Sequence, residues 1–134
     1  MSITIKTILK ILQAPIFVLL AHILFSILNL YNHYEWVDIP MHFAGGFAIA
    51  VGSFIFLKTM QKKSFLGKMN FFIEFLFVIS LVSLAAVLWE FIEFAIDFFL
   101  LTEYQISLND TIGDLFFGLS GGVFSFLFRR IFDS

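Results

Sequence analysis

The sequence contains no cysteine, so disulfides, thiolate metal sites and cysteine nucleophiles are excluded, and the redox compartment stays open. It is short of charge: 13% of its 134 residues are Asp, Glu, Lys or Arg, against about 25% in a soluble domain. Cations are missing over long stretches, with no Lys or Arg between positions 11 and 57 or between 69 and 128. No internal repeat, low-complexity linker or second domain is visible, so one domain is expected over residues 1–134.

What is there instead is hydrocarbon. Hydrophobic residues make up 60%, Phe alone occurs 21 times, and the mean hydropathy is +1.00. A soluble core of this size could not hide so much apolar surface, so lipid must cover much of it. Four stretches approach the roughly 20 helical residues that cross a bilayer core: about 9–31, 41–59, 71–100 and 111–128. The apolar runs are continuous and not alternating, which favours helices over a closed barrel. The fold class expected is all-α, a polytopic bundle of four transmembrane helices. The first run follows Lys6 and Lys10 as a signal peptide would, but it is longer than the usual 7–15 residue apolar region and no small-x-small site follows. It reads as a retained helix.

The charges give an orientation. Lys6 and Lys10 precede helix 1; Lys58, Lys62, Lys63 and Lys68 join helices 2 and 3; Arg129 and Arg130 follow helix 4. The positive-inside rule then places both termini and the middle loop in the cytoplasm. Glu74 and Asp133 belong with these basic ends, while Glu35, Asp38, Glu90, Glu93, Asp97, Glu103, Asp110 and Asp114 map to the opposite half.

Those acids fall into patterns. Asp38 and His42 are four apart, on one helix face, one turn from each other; Asp38 also reads as an N-cap, with Pro40 in the first turn. Glu90, Glu93 and Asp97, at i, i+3 and i+7, lie within about 60° of one another on a helix otherwise apolar there. One ionised carboxylate near mid-bilayer costs about 2.5–3.5 kcal/mol, and three on one stripe repel unless protonated, paired or bridged by a cation. An interfacial helix end explains Asp97 but not Glu90. Asp110 and Asp114 repeat the i, i+4 spacing, with Asn109 or Asp110 as an alternative N-cap. His22, Ser26, Asn29 and His33 form a polar stripe on helix 1, in which His22 also reads as a hydrogen-bonded core histidine. Gly45-Gly46 and Gly118, Gly121 and Gly122 suit close helix packing. Because helices 2 and 4 run inward and helix 3 outward, all the acids should meet at one level.

Carboxylates with imidazole and no thiolate match a divalent ion: Mg²⁺, Mn²⁺ or Ca²⁺ for oxygen-rich sites, Zn²⁺ or Fe²⁺ where His joins. The expected metal ligands are Asp38, His42, Glu90, Glu93, Asp110 and Asp114, enough for two ions sharing carboxylates; Glu90 and Asp97 are the candidate catalytic groups. Ser26 and Thr111 lack any spacing that marks an activated nucleophile.

Three motifs carry a resemblance: Asp38-Ile39-Pro40-Met41-His42-Phe43 with Gly45-Gly46, then Trp89-Glu90-Phe91-Ile92-Glu93, then Asp110-Thr111-Ile112-Gly113-Asp114 with Gly121-Gly122. Over roughly residues 37–125 the chain resembles the VanZ-like and YjdF-like group of small bacterial membrane proteins. Ile39 and Glu93 stand where VanZ-like members have a basic residue and a Gln, so the YjdF-like branch, with Glu-x-x-Glu, is nearer. The resemblance implies a bacterial inner-membrane protein, with an envelope or antibiotic-tolerance role for one branch of the group, and carries no reaction with it. Similarity to small membrane diacylglycerol kinases rests on the acidic helix alone and fails on orientation. The functions to be weighed are a metal-dependent enzyme on a lipid-linked envelope substrate, a cation or proton transporter or metal-binding protein, and a non-catalytic accessory subunit. The partners expected are the lipid bilayer and a lipid-linked substrate, with no nucleic acid.

Overall fold

The computed structural model describes residues 4–100, 102, 105 and 107–132. Its long helices are α1 (Ile5–Ile27), α3 (Asp38–Lys62), α4 (Phe71–Leu100) and α5 (Leu108–Phe132); a single turn, α2 (Leu30–His33), and a 3-10 turn (Glu35–Val37) lie between the first two. All four long helices are long and apolar enough to cross a membrane. At 1.5 Å per residue the shortest, 23 residues, reaches about 35 Å, beyond the hydrocarbon thickness of about 30 Å. The architecture is the all-α four-span bundle that composition and run length require.

Side-chain pairs fix the directions. His42 meets Asp114, and Phe54 meets Phe126, so α3 and α5 run the same way. Lys58 meets Glu74 and Phe56 stacks on Phe77, so α4 runs against α3. The seam between α3 and α5 is the tightest in the molecule: a Cβ on Gly46 would overlap the Gly118 carbonyl, and one on Gly121 would overlap that of Phe43. The core beneath it is Ala50, Phe54, Val78, Val82 and Phe126. No residue of α1 is buried; it leans on α3, where Gly52 meets the Ile11 carbonyl, and packs against neither α4 nor α5 to a comparable extent.

Three boundaries around the acidic end differ from the sequence reading. The first span ends at Ile27 and not near 31, because Asn29 adopts a left-handed conformation, φ 56°, which starts the separate turn α2. Asn is among the few residues other than Gly that tolerate this region. The polar stripe is therefore not one helical face: His22 and Ser26 lie on α1, whereas Asn29 and His33 are exposed on the turn, where His33 Nδ1 donates to the Asn29 carbonyl at 2.8 Å. The helices bearing Asp38 and Asp110 begin three residues earlier than expected, at Asp38 and Leu108.

Candidate metal centre

Three helix ends supply the site. Asp38 makes no capping bond, since α3 starts at Asp38 itself after Val37 and the 3-10 turn. Its carboxylate turns instead along the helix, with Oδ1 3.3 Å from His42 Nε2, as i, i+4 spacing allows. The same Nε2 lies 3.5 Å from Asp114 Oδ1, nearly two turns into α5. From α4, Glu90 and Glu93 arrive on the face turned to the bundle, 5% and 6% exposed, while Phe91 and Phe94 between and beyond them look outward at 63% and 59%. One donor atom from each of Asp38, His42 and Asp114 falls within 4.8 Å of the others, and the same holds for His42, Glu90 and Glu93. His42 belongs to both sets. Five of the six expected ligands thus converge. Asp110 belongs to neither set; its backbone N–H is capped by Ser107 Oγ at 3.2 Å, so Ser107, and not Asn109 or Asp110, is the cap of α5.

A family model described as a predicted membrane protein (DUF2238) matches residues 2–134. The chain belongs to the DUF2238 membrane protein family. No curated protein and no solved structure matches it.

In this DUF2238 protein Asp97, expected as a candidate catalytic group, serves the connection between α4 and α5. Its Oδ1 accepts from the Thr102 hydroxyl and its Oδ2 from the Gln105 backbone N–H, each at 2.7 Å. Held there, Gln105 donates its side-chain amide to both the backbone carbonyl and Oε2 of Glu90, each at 3.1 Å. Gln105 carries no charge and sits outside any helix, so no spacing argument could have found it. Glu103 lies outside the described residues, as does Asp133.

Next to the carboxylates, His22 shares a 2.7 Å hydrogen bond between Nδ1 and the Tyr31 hydroxyl and meets Trp89 edge-on at 4.9 Å. His22 is thus hydrogen-bonded, as expected, but half-buried and not in the core. Tyr31 escaped notice because nine positions along an unbroken helix would have put it elsewhere; the turn at Asn29 folds it back. Ser26 Oγ is buried with no hydrogen-bond partner among the described residues. At the far end of the bundle the electrostatics are different. Glu74, 4% exposed, is met by Lys58 Nζ at 2.6 Å, and Arg129 and Lys58 both lie over the Phe54 ring. A lysine balances the acid there. Among the described residues, no Lys or Arg pairs with the acids of the five-residue group.

The donor chemistry suits a divalent ion. Oxygen donors about 2.0–2.6 Å from a hard cation stand up to roughly 4–5 Å apart when opposed, a span that covers both sets. A neutral imidazole offers one lone pair, so the two sets sharing His42 amount to one histidine-bound ion choosing among carboxylates, with any second ion held by carboxylates alone.

Proposed function

We propose that this DUF2238 protein is a bacterial cytoplasmic-membrane protein with both termini inside, whose outward-facing site holds a divalent metal and acts on a lipid-linked envelope substrate by hydrolysis or group transfer. The observation that carries this reading is the meeting of Asp38, His42, Glu90, Glu93 and Asp114 from three separate helices, four of them carboxylates, with no Lys or Arg among them. Such a group in low dielectric repels itself unless a cation or protons offset it. A metal bound there would polarise a phosphoryl or carbonyl oxygen and activate water. The residues' own part is to hold the ion, and Gln105 orients the Glu90 carboxylate toward it. The likeness of the three motifs to VanZ-like and YjdF-like proteins supports the bacterial envelope setting, and the absence of Lys and Arg from the acidic end supports the orientation.

Transport is the weaker reading. A translocated cation needs polar groups leading to the other face, whereas beneath His42 the lining turns apolar, past Gly46 and Gly118 to Val82, Val78 and Phe54. The test is elemental analysis of the purified protein beside its Glu90→Gln and Asp114→Asn variants. Near-stoichiometric metal in the parent and loss in both variants are expected; a parent protein free of metal would remove the ground for the enzyme.

A further inference from the structure

Beside the carboxylates lies a cavity of about 270 Å³ between α1 and α4, floored by α3, which of the five-residue group only His42 lines. Its shallow end is His22, His42 and Trp89; its deep end is Pro15, Ile49 and Val82. Seven residues from His22 back to Pro15, and seven from Trp89 back to Val82, make it about 10 Å long at 1.5 Å per residue. Its side opens because α1 and α4, each packed on α3, meet little beyond the His22–Trp89 contact at the shallow end. Gly45 faces it: a Cβ there would meet nothing within 4 Å, unlike one on its neighbour Gly46.

We infer that this cleft receives one hydrocarbon chain of a lipid whose polar head lies at His42 and the carboxylates. This rests on the proposed function and names how its substrate would be held. Three things select the occupant. Within a membrane the molecules beside a lateral opening are lipids, and an apolar cavity holds apolar matter and not water. The volume is below the roughly 300–1,000 Å³ of sites that enclose a whole small ligand, so one chain and not an entire molecule enters. Polar groups occur only at the shallow end, where His42 joins the cleft to the metal ligands; a chain inserted from that level extends toward mid-bilayer with its head beside them.

The experiment uses the full chain in nanodiscs containing phosphatidylglycerol with a diazirine on one acyl chain, and maps cross-links by mass spectrometry. Expected are cross-links at Ile49, Ala85 and Val82 as well as at outward residues such as Phe98. Gly45→Trp fills the cleft from α3 and Ala85→Leu fills it from α4, so one misfolded variant does not leave the question open. In either, cleft labelling should fall at least about tenfold, the lower end of what a hydrophobic pocket discriminates, while labelling at Phe98 and metal content persist. Cleft labelling that is absent in the parent, or that stays at the parent's level in both filled variants, overturns the inference. Cleft labelling in a protein that binds no metal would leave the cleft standing and the enzyme reading fallen.

Discussion

Asp97 shows how a residue's spacing and its contacts can point in different directions. Its spacing from Glu90 and Glu93 puts it on their stripe, yet seven residues along α4 is about 10 Å of rise, which carries it past the ligand level to the connection with α5. There it accepts from Thr102 and Gln105. Asp97→Ala should therefore cost about 1.5–3 kcal/mol of stability, the range for bonds to a charged acceptor, while metal content stays at the parent level; thermal unfolding and elemental analysis on the same sample check the two halves. Metal lost in step with a Glu90 substitution would return Asp97 to the site. The acids were legible because intramembrane carboxylates at helical spacing are expensive and conspicuous. Gln105, Ser107 and Tyr31 were not, because uncharged polar residues near helix ends are ordinary and only their three-dimensional partners give them meaning.

At the scale of elements, α3 and α5 carry the site and the tightest packing together. His42 and Asp114 can approach to 3.5 Å because the helices behind them cross with backbone against backbone at Gly46 and Gly118. Gly46→Ala must force that seam apart, at a cost of about 3 kcal/mol or more, the upper end for overpacking, and with it the Asp114 ligand should withdraw. Gly45→Ala, pointing into open space, should be neutral or gain up to about 1 kcal/mol, since Ala holds a helix better than Gly. Melting temperatures of the two variants in the same detergent decide it; equal melting would mean that the seam yields. The glycine pattern announced close packing, but not which of Gly45 and Gly46 does it, because adjacent residues on a helix face directions about 100° apart and only the neighbour's position chooses between them. The break at Asn29 was likewise invisible to hydropathy, since Leu28 and Leu30 on either side continue the apolar run.

For the molecule as a whole, the four spans and their mutual directions followed from run length and loop count, because lipid admits few ways to satisfy a backbone. The convergence of acids followed from those directions. The two ends that result are electrically unlike: at one, Glu74 is buried against Lys58 with Arg129 nearby; at the other, His42 stands among four carboxylates. A cationic end is retained on the side where chains are synthesised, so the Lys58 end should face the cytoplasm and the site the exterior. In intact cells, a cysteine introduced at Thr102 should react with a membrane-impermeant maleimide, and one at Ser64, between α3 and α4, only after the membrane is opened. The protein has no native cysteine to confuse the result. The reverse pattern would turn the acidic group inward and take an envelope substrate out of its reach, because the carboxylates and the shallow end of the cavity lie at the same end of the bundle.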